Sequence, residues 1–124
     1  PTTAVRAAAT AADGFVDSLD PDQRRALADG IPNVPGTGLR LGDLTADQRA
    51  AAFALLRSLL SEEAWVQLAD LVDADAAIGA TDDYWVALFG DPAGDFVLQF
   101  STPDLALSAI RQGDTVEVQP DVVA

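Results

Sequence analysis

Tyr84-Trp85-Val86-Ala87-Leu88-Phe89-Gly90-Asp91-Pro92-Ala93-Gly94-Asp95-Phe96-Val97-Leu98-Gln99-Phe100 is where the hydropathy pattern of this chain changes period. Upstream, apolar residues recur every three or four positions, as on one face of a helix. Here two short runs rich in aromatic and β-branched side chains flank a Gly-Asp-Pro-Ala-Gly turn, the pattern of two strands and their connection. The same alternation continues downstream. Ser101-Thr102-Pro103-Asp104 turns into residues 105–110, and Gln112-Gly113-Asp114 leads into Val116-Glu117-Val118-Gln119. Four short strands joined by short turns predict an antiparallel meander. The last strand alternates cleanly, so its Thr115, Glu117 and Gln119 face is expected to meet water.

Working back toward the N-terminus, the helical signals are strong. Val5, Ala8, Ala12, Phe15, Val16 and Leu19 form a stripe. Asp20-Pro21-Asp22-Gln23 is a helix start, with a capping acid, proline at the first helical position and glutamine where a capping box needs it; that helix is expected to end at Gly30. Residues 30–43, with four glycines and two prolines, read as a loop containing a short extended piece at Leu39-Arg40-Leu41. Thr45-Ala46-Asp47-Gln48 repeats the capping box and opens a helix over residues 46–60. Phe53, Leu56 and Leu60 line its apolar face, widened by Ala50, Leu55 and Leu59. Ser61-Glu62-Glu63 starts another, with Trp65, Leu68, Ala69 and Val72 as the buried stripe. Asp73 and Asp75 lie at the wrong end of its dipole, which predicts fraying. Leu19-Asp20-Pro21-Asp22-Gln23-Arg24 echoes Leu44-Thr45-Ala46-Asp47-Gln48-Arg49; nothing downstream matches, so the echo reads as two similar helix starts.

Helices first and strands last give an α+β fold: three to four N-terminal helices packed on a four-stranded antiparallel meander. One domain over residues 1–124 is expected, with a helical half at 1–78 and a β half at 82–120.

Composition narrows function by exclusion. The chain has no histidine, cysteine or methionine, and all seven basic residues are arginine. Without imidazole, thiol or amine, the chemistry left to it is that of carboxylate, hydroxyl, guanidinium and aromatic groups. A net charge of −13 argues against nucleic acid and anionic membrane surfaces as partners. Abundant alanine, glycine, valine and aspartate with a single asparagine suit GC-rich coding. No stretch approaches the ~20 apolar residues of a membrane helix. Pro1-Thr2-Thr3 has neither a basic n-region nor an apolar h-region, so no signal peptide is expected there, and the missing Met predicts a trimmed N-terminus.

The acidic run Asp70, Asp73, Asp75, Asp82 and Asp83 does not make a calcium loop. Ala77 and Ile78 occupy the next ligand and glycine positions, and Tyr84 stands where the closing glutamate belongs. Ser58, Ser61, Ser101 and Ser108 have no histidine to activate them. Gly36-Thr37-Gly38 lacks the further glycine and the strand-to-helix context of a phosphate loop. Tyr84 and Trp85 point to opposite faces of one strand, so one of them faces away from the helices and can anchor a partner. Trp65 reads as core. Arg40 could hold an anion, although a salt bridge is the plainer expectation.

Gly38-Leu39-Arg40-Leu41-Gly42-Asp43-Leu44-Thr45-Ala46-Asp47-Gln48-Arg49, with Ala54-Leu55-Leu56-Arg57, Leu60-Ser61-Glu62-Glu63 and Asp83-Tyr84-Trp85-Val86-Ala87-Leu88-Phe89-Gly90-Asp91-Pro92, resembles a bacterial family known as domain of unknown function 3500. The similarity runs from about Phe15 to Pro120. Relatives are longer and many are exported, so the resemblance favours a secreted or periplasmic location. After the Gln99-Phe100 position, relatives continue as Gly-Gly-His-His-Leu, whereas this chain has Ser101-Thr102-Pro103-Asp104-Leu105. The resemblance thus implies a reduced, histidine-less member.

The expected function is a non-catalytic binding or structural module, with no catalytic, cofactor or metal residues assigned. Arg40, Trp85 and Asp104 are the candidate partner-binding residues. Its partner would be a protein or a small molecule, with a homodimer through a sheet edge as a further option. The alternative is a carboxylate-dependent hydrolase-like enzyme with its site near the 101–104 turn, which requires a second carboxylate or Arg111 to converge on Asp104.

Overall fold

A computed structural model describes residues 3–32, 34–103, 105–113 and 115–122, with the backbone alone for residues 3–8 and 120–122. Four α-helices accompany one sheet, and the order is not strictly helices first, because the first strand lies between the second and third helix: α1 (Thr3–Asp17), α2 (Pro21–Ala28), α3 (Ala46–Leu59) and α4 (Glu62–Ala77). The strands are β1 (Leu39–Arg40), β2 (Trp85–Gly90), β3 (Phe96–Ser101), β4 (Leu105–Gln112) and β5 (Thr115–Val122). They form one antiparallel sheet in the order β1-β2-β3-β4-β5. The sheet therefore has five strands, not the four expected. The added one is the extended piece at residues 39–40, too short to show a period. It is held at the edge because it pairs with Trp85 and Val86 and because the Leu41 amide donates to the Tyr84 carbonyl at 2.8 Å. Short 3-10 turns follow β1 at Leu41–Asp43 and precede β2 at Ala80–Asp83.

The helix starts obey local chemistry. Asp20 accepts from the Gln23 amide at 2.8 Å while Gln23 Oε1 accepts from the Asp20 amide at 2.9 Å. Thr45 and Gln48 repeat this reciprocal pair at 3.1 and 2.9 Å. Ser61 Oγ accepts from the Ala64 amide at 3.1 Å. Each cap satisfies amides the helix itself leaves unpaired. The echo between the two capping boxes has a spatial consequence. The Gln23 and Gln48 amides bond each other, Gln48 Nε2 to Gln23 Oε1 at 2.9 Å and Gln23 Nε2 to Gln48 Oε1 at 3.2 Å, and Gln48 also donates to the Ser18 carbonyl at 2.8 Å. The two capping glutamines thus join the starts of α2 and α3.

The frayed end expected for α4 is not what forms. The helix runs to Ala77 and is stopped by Gly79, whose φ of 74° closes it in the left-handed conformation. Asp75 is held there because the Tyr84 hydroxyl donates to it at 2.5 Å. On α3 the buried positions are Gln48, Ala52, Leu55, Leu56 and Leu59, while Ala50 is exposed and does not belong to the face. Trp65 is half-buried on α4, with the Arg57 guanidinium 5.7 Å from its ring centroid, a cation–π contact.

Register sorts the sheet residues. Val86, Phe100 and Leu107 form one cross-strand row, and Leu88, Leu98, Ala109 and Val118 the next. These side chains pack with Phe15 of α1, Leu27 of α2, Leu55 of α3 and Leu68 of α4 in one hydrophobic cluster. Tyr84, Phe15 and Phe100 are its largest fully buried members, each worth about 1.5–3 kcal/mol of burial.

The opposite face is covered only in part. Thr115, Glu117 and Gln119 of β5 are exposed, as the alternation predicts. Over β2 and β3, however, the loop of residues 30–38 lies against the sheet. Gln99 Nε2 donates to the carbonyls of Val34 at 2.9 Å and Ile31 at 3.2 Å, and the Gly36 amide donates to Ser101 Oγ at 3.0 Å. The approach needs glycine. A Cβ on Gly30 would collide with Ala87, and one on Gly38 would lie 2.5 Å from the Val86 carbonyl oxygen.

This fit separates two glycines of the same loop. Gly38 has φ +105° and no space, whereas Gly36 has φ +74° and nothing within 4 Å of a built Cβ. Gly38→Ala is expected to lower the unfolding free energy in urea by more than ~2 kcal/mol, and Gly36→Ala by about 1 kcal/mol. Equal losses would contradict the packing of the loop on β2.

Candidate functional site

Antiparallel partners that face each other share a side of the sheet. Arg40 opposes Trp85, and Trp85 opposes Ser101. The three therefore form a row on the face turned away from the helices. Tyr84 is fully buried, and its neighbour Trp85 lies on the second face, where it is half-buried. Of the candidates named from sequence, Arg40 and Trp85 are brought together on adjacent strands. Asp104 lies outside the described residues; its neighbour Pro103 is exposed beside the same row.

Around Trp85 the chain makes a shallow groove of about 240 Å3. Trp85 and Ser101 line it from the sheet, Pro35 and Gly36 from the loop, and Thr102 and Pro103 from the end of β3. Asp83, from the 3-10 turn before β2, completes the lining. The β3–β4 turn is fastened: the Thr102 amide donates to the Leu105 carbonyl at 2.8 Å, and the Leu105 amide donates to Thr102 Oγ1 at 3.1 Å.

Asp83 ties the groove to a cluster of ion pairs. Arg40 meets Asp83 at 3.1 Å and Asp43 at 3.6 Å, and Arg49 meets Asp82 at 3.5 Å. The hydrogen bond that Arg40 donates to Asp83 raises the proton affinity of the guanidinium above its usual value; partial burial opposes this, and the charges of Asp83, Asp43 and Asp82 reinforce it. Arg40 is a fixed cation committed to these carboxylates. Gly42 makes the arrangement fit, because a Cβ there would strike the guanidinium.

Arg111 does not converge on the 101–104 turn. It pairs with Phe96, at the other end of β3, and its guanidinium donates to the Gly94 carbonyl. Among the described residues, no group of three or more acidic side chains is placed to hold a metal ion, and no helix is long and apolar enough to cross a membrane.

Residues 2–124 match the model of the family described as protein of unknown function (DUF3500). The chain belongs to that family. No curated protein and no solved structure matches it.

In this DUF3500 chain, sequence reasoning missed Pro35, Gly36 and Asp83, while Ser101 fell within the 101–104 turn it had named. The usable signal was the loop itself. Thirteen positions separate Gly30 from Asp43, more than a connection between neighbouring elements needs, and Ser101 and Gln99 fall on the polar side of an otherwise apolar strand. Asp83 carried no signal of its own within the acidic run. The Ser101 tie to the loop is open to measurement. Ser101→Ala is expected to raise amide hydrogen exchange at Gly36 by roughly five- to tenfold, corresponding to about 1 kcal/mol of local stability, while exchange in α3 is unchanged.

Proposed function

We propose that this chain acts as a non-catalytic binding module whose ligand seats in the groove over Trp85. One observation carries the reading. A half-buried tryptophan lines a shallow, partly apolar groove together with polar groups, and an aromatic surface beside polar groups is what binding sites concentrate. The composition supports it, since the chain offers none of the imidazole, thiol or amine groups that activate most nucleophiles. The charge of −13 supports a ligand other than nucleic acid or an anionic membrane.

The hydrolase-like alternative keeps one observation in its favour: Asp83 lines the groove beside Pro103, next in sequence to Asp104. An acid–base pair, however, needs two carboxylates with unlike environments. Among the described residues that line the groove, Asp83 is the single carboxylate, and it is tied to Arg40 at 3.1 Å.

A panel of nitrophenyl esters, phosphates and glycosides, assayed without added metal, separates the two readings. The expected outcome is no turnover above the uncatalysed rate. Turnover that Asp83→Asn abolishes would overturn the binding reading. Trp85→Ala should cost no more than about 1 kcal/mol of stability, because the side chain is only half-buried.

A further inference from the structure

We infer that the groove accepts one neutral pyranose ring, stacked on the indole of Trp85 and hydrogen-bonded at its edge by Asp83 and Arg40. The inference rests on the binding-module reading and names its ligand class.

Size is the first constraint. About 240 Å3 falls below the roughly 300–1,000 Å3 of pockets for drug-sized ligands, leaving room for a single ring. Chemistry of the surface is the second. Trp85, Pro35 and Pro103 make an apolar patch, while Asp83 and Ser101 add polar groups to the same lining. A pyranose has the matching division, with a C–H face that packs on an aromatic ring and hydroxyls around its perimeter.

Charge is the third and most selective constraint. A cation placed on the indole would sit beside Arg40, the cross-strand neighbour of Trp85. An anion would meet Asp83 and the field of a chain carrying −13. Asp83, the carboxylate of the lining, is already paired with Arg40 at 3.1 Å, so an ionic ligand would have to compete with that pair in order to bind. A polyol does not. Its hydroxyls both donate and accept, and the Arg40–Asp83 pair offers a charged donor and a charged acceptor 3.1 Å apart. Two adjacent hydroxyls can meet such a pair with charge-assisted hydrogen bonds.

The test uses the intact chain, labelled with nitrogen-15 and titrated with cellobiose, lactose, maltose and N,N′-diacetylchitobiose. The chain has two indole N–H groups. Trp65, on α4 beside Arg57, serves as the internal reference for Trp85. At least one disaccharide is expected to shift the Trp85 indole and Gly36 amide resonances saturably, with a Kd on the order of 1 mM, leaving Trp65 in place. Trp85→Ala should abolish the shift at Gly36. Asp83→Asn should weaken binding about tenfold, with an unmoved Trp65 resonance showing that the fold persists.

If none of the four sugars moves Trp85, the sugar inference is overturned; if an arginine-rich peptide moves it instead, the binding-module reading survives with a cationic ligand. Appearance of monosaccharide signals in the same tubes would overturn the non-catalytic reading and leave the sugar site standing. Saturable binding without cleavage supports both.

Discussion

The hydroxyl of Tyr84, 2.5 Å from the Asp75 carboxylate, is the contact on which the arrangement of this molecule depends. Tyr84 is fully buried and meets Phe100 edge-on, with ring centroids 5.5 Å apart. Its carbonyl accepts from Leu41 and its amide donates to Thr81. One residue therefore joins the last turn of α4, the 3-10 turn after β1, the one before β2, and the centre of the sheet. A phenol buried without a partner would cost about 1–3 kcal/mol, so an aspartate near a helix C-terminus, unfavourable by dipole alone, is retained as its acceptor. Because successive strand residues point to opposite faces, fixing Tyr84 in the core turns Trp85 to the other side. The position of the candidate site follows from a packing decision made one residue earlier.

That second face is not left as a bare surface. A loop bearing Ile31, Val34 and Pro35 is spread over β2 and β3, anchored by Gln99 and Ser101. These two residues are buried polar groups on the apolar strand β3, and backbone groups of the loop arrive to bond them. The groove is the gap that remains beside the indole between the loop, the end of β3 and Asp83.

Features legible in the sequence were those set by neighbours along the chain. Asp20, Thr45 and Ser61 cap helices because the partner amide lies three residues away, and the period-two runs formed strands because each run buries one side. The wet side of β5 follows from an equally local rule. What stayed hidden depends on groups far apart in sequence. The pairing of Gln23 with Gln48 turned two look-alike helix starts into one contact. β1 was legible as an extended piece but not as a strand of the sheet, because two residues carry no period and its partner lies on β2. The apparent weakness of Asp75 was its use, since its partner Tyr84 belongs to another element. Arg40 and Trp85 could be named as residues but not as neighbours, and Asp83 and Ser101 acquire meaning only once the register places them around the indole.

The anchoring of the loop has a kinetic consequence. Gly36 and Ser101 are 65 positions apart, and Ile31 and Gln99 are 68 apart. Contacts of such separation carry a large closure entropy and form only after β3 has a partner on which to settle. The helix caps, three residues wide, can be in place long before. The groove is therefore among the last features to appear as the chain folds and among the first to vanish when it opens. A ligand seated there would recognise the finished molecule alone and, by mass action, hold it in that state.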